Sequence, residues 1–219
     1  MNRFFKIIKT TGKILLVLIT ILVIIYFLGP KPSKPVFDPP ALENLANQSL
    51  TDFEKKISDS ENAVENIKPE CKARIVWADS STREKTKVVM LYLHGFGASH
   101  VEGAPINTDL AKQFGCNLFL ARLAEHGIET GAKNENFLKF NAEDYYDSAE
   151  RALHIAQQLG DSVVIIGQSG GAAMALFLAS RHPELKGLVL YSPAVRVFRK
   201  DGQLLSEPWG LQLAHFMVG

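Results

Sequence analysis

The sequence predicts an α/β domain with a mainly parallel sheet, preceded by one membrane-spanning helix. Three observations carry this. Short apolar runs alternate with helix-period stretches from Lys72 onward, and such alternation requires crossover connections between parallel strands. The segment Gly167-Gln168-Ser169-Gly170-Gly171 joins an apolar run directly to an Ala-rich stretch, as a tight strand-to-helix turn does. An uncharged run from Ile14 to Leu28 follows Arg3, Lys6, Lys9 and Lys13 and does not belong in a soluble core.

The N-terminal run is short for a spanning helix, but Lys13 and Lys31 can snorkel outward and Gly29 adds length. Tyr26 and Phe27 suit the membrane interface. A cleaved signal is the alternative; no small-x-small site follows the run, and Pro30 stands where a cut would fall. Residues 1–30 are therefore expected to be an uncleaved anchor. The basic residues keep the N-terminus cytoplasmic and place the rest toward the periplasm or exterior.

Residues 31–67 divide into a spacer and a helix. Pro30, Pro32, Pro35, Pro39 and Pro40 hold the first part extended. Thr51-x-x-Glu54 has the form of a capping box, and Phe53, Ile57, Val64 and Ile67 recur at helical spacing, so an amphipathic helix is expected over about 52–66. It should pack on the outside of the domain.

The core is expected over 68–195. Residues 72–78, 88–93, 118–121, 163–166 and 188–191 read as strands. Residues 142–159, with Asn141 as N-cap and Gly160 as stop, read as a helix. Residues 171–181 are apolar nearly all round, which predicts a helix buried on every side.

Composition excludes several function classes. The chain has 24 Lys and Arg against 23 Asp and Glu, with no basic stripe, so nucleic acid is not expected as a partner. Cys71 and Cys116 lie far apart and outside any C-x-x-C pair, so no metal site is expected. Cys116 reads as a small buried hydrophobe, although an exported domain would permit a bridge between the two. No phosphate-binding glycine loop is present, because Ser169 stands where G-x-G-x-x-G requires glycine. No cofactor is expected.

The chemistry points to Ser169. A bare G-x-S-x-G arises by chance in roughly one chain of this length in ten to fifteen; its place between strand and helix makes it the nucleophile-elbow pattern. There the serine takes strained backbone angles and its Oγ stands at the carboxyl edge of the sheet. Independently, the strand 88–93 runs into His94-Gly95-Phe96-Gly97, where the backbone N–H of Phe96 would join that of Gly170 as an oxyanion hole. One such donor is typically worth about 2.7–4 kcal/mol in the transition state.

With Leu93-His94-Gly95-Phe96-Gly97, Arg122-Leu123-Ala124-Glu125-His126-Gly127 and Gly167-Gln168-Ser169-Gly170-Gly171, the chain from about Lys68 onward resembles the monoglyceride-lipase-like branch of the α/β-hydrolase superfamily. The middle motif departs from the usual Pro-Gly-His-Gly or Ala-Gly-His-Gly by carrying Glu125. Residues 196–219 resemble the start of a cap over the active site. The resemblance implies ester hydrolysis through an acyl-enzyme on Ser169, with a small or lipid-like ester as substrate. Aminopeptidase or acyltransferase chemistry, or a non-catalytic membrane-tethered remnant, are the other readings the fold allows.

In this fold an acid and then a His follow the serine in chain order, on strands after 188–191. Glu184, Asp201 and Glu207, and His182 and His215, are the groups found downstream of Ser169. His182 reads as a helix-end residue and His215 as a helix-face residue. His94 reads as a structural residue of the oxyanion loop and His126 as loop packing. The expectation is therefore a truncated copy whose acid and base lie past residue 219.

Overall fold

The computed structural model describes residues 2–44, 48–129, 139–196 and 200–218. They form two units: Pro35–Val195, and a second made of Met1–Lys34 with Arg196–Gly219.

In the second unit, helix α1 (Asn2–Phe27) contains the stretch Ile7–Phe27, 21 residues long and apolar enough to cross a membrane. At 1.5 Å per residue it extends ~31 Å, close to the thickness of a bilayer's hydrocarbon. Thr20 returns its hydroxyl to the Leu16 carbonyl at 2.8 Å, so its donor is satisfied within the helix. In the same unit Trp209 donates from its backbone to the Pro30 carbonyl at 3.0 Å and from its indole to the Ile25 carbonyl at 2.9 Å.

The Pro35–Val195 unit is a five-stranded sheet. Helix α2 (Leu50–Asn62) precedes β1 (Arg74–Val76), and β2 (Val89–Leu93), α3 (Ile106–Gln113), β3 (Asn117–Leu120), α4 (Ala142–Leu159), β4 (Val163–Gln168), α5 (Gly170–Arg181) and β5 (Gly187–Tyr191) follow. The order across the sheet is β1-β3-β2-β4-β5, with only β1 antiparallel to its neighbour. The α/β expectation with a mainly parallel sheet is met.

Strand alternation sorts the core onto two faces. Val89, Leu91, Leu93, Phe119, Val163 and Ile165 pack under α4 and α5, joined by Phe53 and Ile57 from α2. Met90, Tyr92, Leu118, Leu120 and Ile166 face the other way, toward Ala111 and Leu110 of α3. Phe37, between Pro35 and Pro39, packs edge-on against Tyr146 and tilted against Phe177, so the chain is already packed on the core there.

Two local expectations are corrected. Helix α2 is capped by Ser49, whose hydroxyl accepts from Asp52 N at 3.1 Å, not by Thr51. Glu54 instead accepts from the Trp77 indole at 3.0 Å and pairs with Arg83 at 2.9 Å. The helix ends at Asn62; Val64 is exposed, and Ile67 bridges Ile128 beyond it. Helix α5 is not buried on every side either: Leu176 is 39% exposed, and the sheet that α5 packs on ends at edge strand β5. Cys71 and Cys116 are both buried free thiols.

Candidate active site

The site forms where β4 and β2 end. From Gln168 the chain enters α5 through Ser169, whose φ of 50° and ψ of −111° lie in a region that side chains other than glycine avoid. Its amide donates to the Tyr191 carbonyl at 2.8 Å, and its carbonyl accepts from Ala173 N at 3.1 Å and Ala194 N at 3.0 Å. The neighbours on both sides over-determine the strained turn.

The glycines make that closeness possible. A Cβ on Gly167 would lie 2.7 Å from Ala172 Cα, and one on Gly171 would lie 2.1 Å from the Leu93 carbonyl oxygen. Helix α5 therefore starts directly against the end of β2. As a result the β2 loop meets the turn: a Cβ on Gly95 would stand 3.4 Å from Ser169 Cβ, and one on Gly170 would stand 3.3 Å from Phe96 N. Gly170 opens α5, where the first N–H groups have no partner within the helix. Ser169, Gly170 and Phe96 are thus brought together.

Two buried imidazoles clasp this loop to the segment after β3. His94 Nε2 accepts from Leu123 N at 3.1 Å, and its Nδ1–H faces the Gly95 carbonyl at 3.0 Å. Reciprocally, His126 Nε2 accepts from Gly97 N at 3.1 Å while its Nδ1–H donates to the Ala124 carbonyl at 2.7 Å. An acceptor nitrogen requires a neutral ring. Burial, then the charges of His126, His100 and Arg122, hold His94 down at about 4, and burial lowers His126 and His100 as well.

A depressed imidazole takes up its proton more readily in the unfolded chain. Its contribution is whole above the ordinary value near 6.5 and is lost as pH falls from there toward about 4. For His94 alone the loss is about 3 kcal/mol. Urea midpoints of the folded protein should fall steeply between pH 7 and pH 4.5; a flat profile would show that the clasp does not depend on neutral rings.

Glu125, the departure from the family motif, has φ 60°, and Gly127 has φ 73°. The position calls for left-handed backbone, which glycine adopts without the cost of about 1–2 kcal/mol that other residues incur. Glu125→Gly should therefore raise stability by up to about 1 kcal/mol, read as a higher urea midpoint.

Further residues, not singled out in the sequence, complete the site. The Glu102 carboxylate accepts from Gly95 N, from the Tyr92 hydroxyl at 3.4 Å and from Gln168 Nε2 at 3.3 Å, and so ties the loop to the turn. Arg122 forks onto Glu61 of α2 through Nε at 2.7 Å and Nη2 at 3.1 Å, and Glu61 also accepts from Ala73 N at 2.9 Å. Such two-pronged pairs fix geometry as well as charge. Phe140 and Tyr145 pack with Phe96 and His126 as one aromatic group beside the turn, Phe96 edge-on to both His126 and Phe140 and Tyr145 tilted against His126 and Phe140.

The downstream candidates have other surroundings, each described within its own unit. His182 caps α5, with Nε2 on Glu150 of α4 at 2.9 Å and Nδ1 on Glu184 at 3.0 Å, so it clamps two helices together. Glu207 faces Lys31 at 3.8 Å, His215 is exposed, and the Asp201 side chain lies outside the described residues. Among the described residues Ser169 Oγ makes no hydrogen bond. No group of His, Cys, Asp and Glu among them could hold a metal ion.

A strained serine between a parallel strand and the helix that follows it, faced by a His-Gly loop, defines the class: an α/β fold with its candidate site at the carboxyl edge of the sheet. A family model described as alpha/beta hydrolase fold matches residues 88–214, and the chain belongs to that family. A thermostable monoacylglycerol lipase of Bacillus sp. (strain H-257) is 28% identical over 114 residues, which is 52% of this chain and 44% of the relative. The chain thus spans less than half the length of that curated relative. A solved structure from work on LipS and LipT, two metagenome-derived lipolytic enzymes, matches with a TM-score of 0.52 at 20% identity, covering 63% of this chain and 52% of the other. That likeness is one of fold.

Proposed function

We propose that the protein is a membrane-anchored serine hydrolase that cleaves carboxylic esters through an acyl-enzyme on Ser169. The observation that carries this is the backbone of Ser169, held at φ 50° between β4 and α5 with Phe96 N beside Gly170. Oγ adds to the ester carbonyl carbon, and the carbonyl electrons move onto oxygen, held by the N–H groups of Phe96 and Gly170. Collapse expels the alcohol, and water then releases the acid. The hydroxyl proton passes to a His base, which this fold carries after the fifth strand position in chain order, preceded by its acid partner.

A lipid-like ester fits best. The relatives above bear lipase or lipolytic names, and Phe96, 57% exposed beside the turn, offers an apolar surface to an acyl chain. Helix α1 would anchor the protein, its N-terminal basic residues cytoplasmic and the hydrolase unit on the far side. The same fold also permits, as a second reading, a tethered protein that binds without cleaving. Assays of the full-length protein separate these: p-nitrophenyl butyrate should be hydrolysed and an aminoacyl p-nitroanilide should not. Turnover of the anilide alone would point to an aminopeptidase, and binding of a lipid ester without turnover to the second reading.

A further inference from the structure

Tyr145 presents a buried hydroxyl that no described residue accounts for. It sits in the first turn of α4, its residue 8% exposed, and among the described residues its Oη has no hydrogen-bond partner. Buried polar atoms of that kind are few in folded proteins, and each is destabilising unless something else binds it. The ring cannot swing away, because Phe140 at 5.5 Å and His126 at 5.8 Å pack against it.

The hydroxyl ends where the reaction would take place. A Cβ on Gly170 would stand 3.3 Å from Tyr145 Oη, the same separation as from Phe96 N. Burial, and then the charge of Glu102, push the hydroxyl above the ordinary tyrosine value, so it keeps its proton and can donate. Its neighbour Tyr146 offers a contrast, since that hydroxyl donates to Glu150 at 2.6 Å inside the core.

We propose that the Tyr145 hydroxyl is a catalytic donor, adding a third hydrogen bond to the oxygen bound by Phe96 N and Gly170 N. The proposal rests on Ser169 being the nucleophile. It also explains why a buried donor is left open: its partner is the oxygen of the bound ester, whose charge grows in the transition state. A group kept for the reaction should then work against stability in the empty protein.

The test is inactivation of the full-length protein by an alkyl fluorophosphonate. The Ser169 Oγ–phosphorus bond forms, fluoride leaves, the serine proton goes to the general base, and the phosphoryl oxygen occupies the oxyanion position. Tyr145→Phe should slow the inactivation step about 10²- to 10³-fold, as loss of one such donor does. Its reversible binding constant should stay unchanged and its Tm unchanged or higher. Tyr146→Phe should do the reverse, lowering Tm while labelling at the native rate. Native-rate labelling of Tyr145→Phe overturns this inference and leaves the nucleophile standing. Slowed labelling with a lowered Tm makes Tyr145 structural and overturns it too. If the unaltered protein is not labelled at Ser169, the proposed function fails and the role of Tyr145 fails with it.

Discussion

Replacing Ser169 by alanine is expected to cut ester hydrolysis by the full-length protein about 10⁴- to 10⁶-fold, the range for loss of a nucleophile that works as one unit with its base. The oxyanion donors would remain and supply only roughly 10³–10⁴ over the uncatalysed reaction. Binding of the ester should barely change, because the contacts that hold the acyl chain do not involve Oγ. Stability should not fall, since alanine keeps the Cβ and Oγ has no partner to lose among the described residues. Ser169→Gly would be as inactive and should be more stable, because glycine accepts φ 50° freely. A drop in rate of only a few-fold in Ser169→Ala would move the chemistry to another group.

Gly171→Ala should unfold the sheet's central turn more readily than any change of Ser169. Its Cβ would meet the Leu93 carbonyl oxygen at 2.1 Å and that of His94 at 2.5 Å. Overpacking a core costs typically about 1–3 kcal/mol where side chains can turn aside. Here the obstacle is backbone on the end of a central strand, so relief requires α5 to move away from β2. The expected loss is about 4–5 kcal/mol, the range reserved for identifiable structural faults. Gly187→Ala is the control, because nothing lies within 4 Å of its added Cβ. Urea unfolding of both variants checks this; equal midpoints would mean that strand and helix are less closely apposed than described.

These two predictions bear on different parts of the same turn, and both parts were legible in the sequence for a physical reason. A strand-to-helix turn this tight restricts residue type position by position, so Gly167, Ser169, Gly170 and Gly171 appear as a contiguous pattern. The same holds for His94-Gly95-Phe96-Gly97, where local backbone needs concentrate in four residues. The parallel sheet was legible because apolar runs and helix periods do not mix.

What stayed hidden depends on contacts between distant residues. Glu102 reaches the loop at Gly95 from a short helical turn capped by Ser99, and nothing in Ser99-His100-Val101-Glu102 says that the carboxylate turns inward. The reciprocal His94 and His126 clasp joins residues that look alike in one dimension and are distinguished only by the amide each accepts from. Tyr145 and Tyr146 are adjacent on one helix, yet one hydroxyl faces the core carboxylate of Glu150 and the other faces Gly170. Sequence periodicity separates buried from exposed faces and not one buried direction from another. Helix α2 was misplaced at its start because Thr51 and Ser49 both suit a cap, and only the packing of Phe53 and Ile57 selects between them.

The central claim is that Ser169 is the nucleophile, and the most direct measurement is peptide mapping of the full-length protein by mass spectrometry after exposure to a fluorophosphonate. One adduct is expected, on Ser169, absent from Ser169→Ala and suppressed as pH falls to about 4 and the His94 clasp becomes protonated. An unmodified Ser169 in a folded, ester-binding protein, or an adduct on another residue such as Ser192, would contradict it.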